Sequence, residues 1–173
     1  MNRSAISLIV WTVILILAQV LVFNHVFLFG FALPLVFIYT LIKLPMSMSK
    51  EWQFTFAFLL GLIIDIFSDT PGLNALASTV TIALRRPVIR LYVLRDEELS
   101  DQYPGLKTFG GFTFFRYVLT FCLLYCAIVF AVEDLSFAHP ERLLLRIVCS
   151  TILTSLLILG IDSLNVQKSE KRL

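Results

Sequence analysis

The amino-acid sequence predicts an all-α fold: one polytopic membrane bundle of about six transmembrane helices over residues 1–173. Three observations predict it. Apolar residues make up 58% of the chain and charged residues 15%, against about 45–50% and about 25% in soluble domains. From Ser4 to Ile42 there is no Asp, Glu, Lys or Arg. At 1.5 Å per residue and roughly 20 residues per crossing, that stretch holds two spans joined by a turn. Finally, lysines and arginines gather in alternate connections rather than spreading along the chain.

Span one covers residues 5–23. Asn2 and Arg3 before an apolar run resemble the start of a signal peptide, but the run is long and lacks a small-x-small cleavage site, so it is expected to stay as an anchor. Asn24 and His25 form the turn. Span two covers 26–44, and Pro34 near its middle is expected to kink it. Lys43 to Glu51 is a loop, and span three covers 52–68. Asp69-Thr70-Pro71-Gly72 reads as a turn and helix start, with Asp69 or Thr70 as N-cap and Pro71 at the first helical position. Span four covers 72–94. Leu73 to Leu84 is too short to cross alone, so the chain is expected to leave the bilayer near Arg85. It then continues as an interfacial helix carrying Arg85, Arg86, Arg90 and Arg95 toward the cytoplasm. A polar loop from Asp96 to Lys107 precedes span five at 112–132 and span six at 143–164.

Charge placement orients the spans. With both termini inside, twelve of the fourteen lysines and arginines lie on the inner side and only Arg142 and Arg146 on the outer, the asymmetry that cytoplasmic loops show. The net charge of +2 gives no reason to expect a nucleic-acid partner, while the basic run from Arg85 to Arg95 suits membrane lipids or a cytoplasmic protein.

Polar residues within spans are the candidates for function. Gly61, Asp65 and Asp69 follow at i, i+4 and i+8 on one face of span three. A lone carboxylate makes a poor proton relay, so Asp65 is expected to accept hydrogen bonds from the turn at Gly72 to Asn74, with Gly61 permitting close approach. Arg142, Arg146, Ser150 and Thr154 share a face of span six that should point into the bundle or at a partner. Arg146 is expected either to pair with Asp65 or Asp69 or to reach outer phosphates. Cys122, Cys126 and Cys149 lie in apolar segments, where reduced thiols are expected and metal binding is not. No phosphate loop, nucleophile triad or metal motif occurs, so no catalytic residue, cofactor or metal is assigned.

Gly61-Leu62-Ile63-Ile64-Asp65 followed by Pro71-Gly72-Leu73 resembles the G-L-x-x-D … G-x-x-A signature of MreD, the rod-shape-determining membrane protein family, with Ala75 or Ala77 last. Pro34 and the basic inner loop match the same pattern. The resemblance implies a non-enzymatic role in the bacterial inner membrane. MreC would be the direct partner, and MreB, RodA and a class B penicillin-binding protein indirect ones, in directing side-wall peptidoglycan synthesis. It also implies a fold similar to the substrate-binding subunits of energy-coupling-factor transporters. The alternative is such a transporter subunit, binding a small molecule. Those subunits carry an Ala-x-x-x-Ala stripe in the first span, and here Ala5 and Ala18 are its only alanines, which favours the scaffold. Gly61, Asp65, Ser150, Thr154 and the segment from Arg85 to Arg95 are the expected partner faces.

Overall fold

A computed structural model describes residues 3–23, 32–92, 104–134 and 140–170. The turn expected at Asn24 and His25, the start of span two, Arg95 with most of the polar loop, and His139 lie outside these residues. Seven helices are present among them: α1 (Arg3–Leu21), α2 (Ile38–Ile42), α3 (Lys50–Ser68), α4 (Leu73–Tyr92), α5 (Leu106–Phe109), α6 (Gly111–Glu133) and α7 (Pro140–Glu170). Among the described residues, three segments, Lys50–Ser68, Gly111–Glu133 and Pro140–Leu164, are long and apolar enough to cross a membrane, and α1 holds a shorter apolar stretch over Ile9–Leu21.

Helix α3 folds back on α4 as a hairpin, α4 lies against α6, and α6 against α7, while α1 rests on α3 and α2. The centre belongs to span two, which differs from its expected form. Ala32 to Leu35 is not helical, Val36 and Phe37 form a turn, and only Ile38–Ile42 is α-helix. Pro34 contributes to the difference. It restricts the residue before it to extended backbone and has no N–H of its own, which suits the extended form that Ala32 to Leu35 take. The segment is nonetheless the most enclosed part of the chain: Leu35, Val36, Phe37, Ile38, Leu41 and Ile42 are all buried.

Non-helical backbone away from water needs partners for every N–H and C=O, and neighbouring helices supply them. Ser150 Oγ on α7 accepts from the Leu33 N–H at 3.0 Å, and Thr154 Oγ1 accepts from the Leu35 N–H at 3.1 Å. Two extended residues advance about 6.6 Å and four helical residues about 6 Å. Hydroxyls at i and i+4 of a helix therefore match N–H groups at i and i+2 of an extended chain. From the other side, Gln19 of α1 accepts from the Val36 N–H at 2.8 Å and donates to the Pro34 carbonyl at 3.0 Å.

Helix α4 also differs from expectation. It continues unbroken through Pro87 to Tyr92, but the residue expected to open its interfacial part is enclosed. Arg85 is 1% exposed, so it is not an interfacial cation. Arg86 and Arg90 are exposed. The reason lies in α2, whose last carbonyls have no helical donor. The Arg85 guanidinium donates to the carbonyls of Ile42 and Leu44 and, at 3.1 Å, to Gln53 Oε1, a cation placed at the negative end of a short helix.

Candidate functional site

Two buried polar clusters each centre on a carboxylate, one on α3 and one on α7. The first is a clasp between the end of α3 and the start of α4. Asp65 Oδ1 accepts from the Thr70 hydroxyl at 2.6 Å, the Asn74 N–H at 2.8 Å and Asn74 Nδ2 at 3.0 Å, and Oδ2 accepts from the Ala75 N–H at 2.8 Å. Asp65 is 4% exposed, and these donors include two of the first backbone N–H groups of α4. A carboxylate at a helix N-terminus is favoured by both hydrogen bonding and the helix dipole.

The N-cap is thus supplied by the previous helix. Asp69 and Thr70 do not serve as that cap, and Pro71 does not open the helix, which begins at Leu73. Asp69 instead ends α3 in the left-handed region at φ 52°, its N–H bonded to the Asp65 carbonyl. Gly72, at φ 80°, occupies a conformation that side chains rarely adopt. The chain reverses within four residues, which brings α3 and α4 into backbone contact. A Cβ on Gly61 would lie 2.6 Å from Ala75 Cα, 2.7 Å from Ala75 N, and closer still to the Asn74 carbonyl.

Tyr125 on α6 extends the clasp inward. Its hydroxyl donates to Asn74 Oδ1 at 3.0 Å, and its ring meets Phe37 edge-on at 5.7 Å. Asp65 is therefore linked through Asn74 to α6 and to the central segment.

The sequence-predicted residues divide into two sets. Gly61, Asp65, Ser150 and Thr154 face inward and hold helices together, so they offer no face to a partner. Asp69, Pro71 and Gly72 are exposed, and Arg146 is partly so; of these, Asp69 and Arg146 line the rim of a cavity of about 330 Å³. Leu33, Leu35, Ile64 and Val129 are among the apolar residues lining it. Arg146 does not pair with Asp65 or Asp69. Its guanidinium donates to Glu133 Oε1 at 3.0 Å and lies over the Phe130 ring at 4.6 Å. Glu133 ends α6 and Arg146 stands near the start of α7, so adjacency in the α6–α7 pair decides the partner.

Sequence reading missed the second cluster. Asp162 on α7 is 0% exposed. It pairs with Lys43 Nζ at 2.6 Å and accepts from the Tyr39 hydroxyl at 2.9 Å and the Leu106 N–H at 3.1 Å. A carboxylate inside an apolar span was the available signal. Gln19, alone among apolar neighbours in α1, was another. Among the described residues no group of three or more His, Cys, Asp or Glu is placed to hold a metal ion, and Cys122 and Cys126 are buried free thiols.

Fold and site together define a helical bundle with membrane-spanning character, organised around a buried non-helical segment and clasped at each end by a carboxylate. No protein-family model, curated protein or solved structure matches the chain.

Proposed function

We propose that this chain is a non-enzymatic, multi-pass component of the bacterial inner membrane, with both termini cytoplasmic, that binds an MreC-like partner in the cell-elongation complex. MreB, RodA and a class B penicillin-binding protein are its indirect partners, and its bundle is of the kind used by energy-coupling-factor substrate-binding subunits. One observation carries the reading. The residues of the G-L-x-x-D … G-x-x-A resemblance, Gly61, Asp65, Gly72 and Ala75, form a single structural unit, the clasp between α3 and α4. Charge supports the orientation: Lys43, Lys50, Arg86 and Arg90 belong to the end opposite Arg142 and Arg146. The partner surface is the rim at Asp69 and Arg146 with the exposed turn at Pro71 and Gly72, since the inner four residues are already engaged within the chain.

The test is a mild-detergent pull-down of the tagged chain from its native membrane, with partners identified by mass spectrometry. Recovery of an MreC-like protein, lost when Asp69 and Arg146 are changed to Lys and Glu, supports the scaffold. A reporter fused after Arg172 that proves periplasmic would sink the orientation. The cavity behind the rim favours one second reading, a small-molecule-binding transporter subunit. Recovery of ATPase subunits with a membrane coupling protein would replace the first reading with that one.

A further inference from the structure

At the end of the hairpin opposite the clasp, a groove of about 330 Å³ between α3 and α4 has Lys50, Gln53, Phe54, Arg86 and Arg90 among its lining residues. Three of the lining residues are cationic and none of the lining is acidic. Glu51, on the first turn of α3, is close enough to act electrostatically on Lys50 and Arg86 and offsets part of their charge. Gln53 is tied to Arg85 and to the Met48 carbonyl, at 2.7 Å, so its position is set from within.

The apolar surroundings specify the anion further. Phe54, Phe58 and Leu62 are exposed at i, i+4 and i+8 on α3, and such spacing places them in a row along one helix face. Exposed Leu76, Val80 and Leu84 form a matching row on α4. A soluble phosphate has no use for these rows, whereas an acyl chain has. We infer that the groove between α3 and α4 binds the phosphate of an anionic phospholipid at Lys50, Arg86 and Arg90, with an acyl chain laid along the exposed apolar rows. This inference rests on the reading that α3 crosses a membrane and is independent of the partner assignments.

The test is native mass spectrometry of the full chain in mild detergent, incubated with equal concentrations of phosphatidylglycerol and phosphatidylcholine. Phosphatidylglycerol is expected to be retained preferentially. Each cation near a lipid surface is worth about fivefold in binding, so Lys50→Gln/Arg86→Gln/Arg90→Gln should bring the two lipids close to parity. Lys50→Arg/Arg86→Lys/Arg90→Lys should keep the preference, which separates loss of charge from loss of fold. Arg142→Gln, at the other end, should leave it unchanged. Preference that survives the triple Gln variant would overturn the site. Loss of lipid to millimolar inorganic phosphate would show a soluble-anion site instead and overturn the lipid assignment. Retention of neither lipid would count against the membrane reading itself.

Discussion

Asp65 has four hydrogen bonds within its own hairpin, and hydrogen bonds to a charged acceptor contribute about 1.5–3 kcal/mol each. Asp65→Asn keeps the shape but turns an acceptor toward the Ala75 N–H into an amide. A loss of about 2–3 kcal/mol in detergent-phase unfolding is expected, with Asp65→Ala larger still. If stability were unchanged, the clasp would not be what joins α3 to α4. The hydroxyls of α7 obey the same logic. Ser150→Ala/Thr154→Val strands the N–H groups of Leu33 and Leu35 in an apolar interior, which costs about 1–3 kcal/mol for each unsatisfied group. Reversible chemical denaturation of the two single variants and the double variant measures this directly. Near-neutral singles would mean that the extended segment finds other acceptors. Gly61 admits no such gradation, because the obstacle to a Cβ there is backbone, which has no rotamer to move.

At the scale of elements, α4 is the informative case. Pro87 withholds the N–H that the Ala83 carbonyl would accept, and a proline inside a helix costs about 3 kcal/mol. The helix nevertheless continues past it, because Ile82, Arg85, Val88 and Ile89 are buried against neighbouring elements. Pro87→Ala is therefore expected to raise the thermal midpoint in detergent, by an amount equivalent to about 1–3 kcal/mol. A lowered midpoint would show that α4 must bend there to pack. Span two makes the opposite case. Its apolar run and its length read as helix, and only Pro34 argues otherwise. A proline in a membrane span is commonly accommodated as a kink, since neighbours re-satisfy the freed groups. What carries this segment into extended form is the presence of Ser150, Thr154 and Gln19 at matching heights on two other helices, which no local window of sequence contains.

For the whole molecule, the placement of α6 yields a simple check. Phe114, Tyr117, Val118, Phe121, Cys122, Tyr125, Cys126, Val129 and Phe130 are buried on it, so α6 faces protein along much of its length. Cys149 on α7 is only partly buried. Maleimide is expected to label one of the three thiols in the folded, detergent-solubilised protein and all three after denaturation, counted by intact mass. Labelling of Cys122 or Cys126 in the folded state would place α6 at the periphery. The same architecture explains why the apolar content is so high without a large interior: residues such as Ile63, Ile66, Leu145, Ile152 and Leu156 lie on outward faces of α3 and α7, where a soluble chain would carry charge.

The helical class, the approximate extents of α1, α3, α6 and α7, and the Asp65 clasp are legible in the linear sequence. Those features depend on composition, on period, and on residues within ten positions of one another along the chain. The sequence did not determine that residues 32–37 of span two are non-helical, that Arg85 is buried, or that Asp162 holds Lys43. Nor did it show that Arg146 turns to Glu133. The partners are 13 residues apart for Arg146 and Glu133 and 43 for Arg85 and Ile42, and more than a hundred for Asp162 with Lys43 and for span two with the hydroxyls of α7. Helix order decides which of them meet, and an apolar run carries no record of its neighbours. A polar side chain in such a run announces only that it must be satisfied; the tertiary structure decides by what.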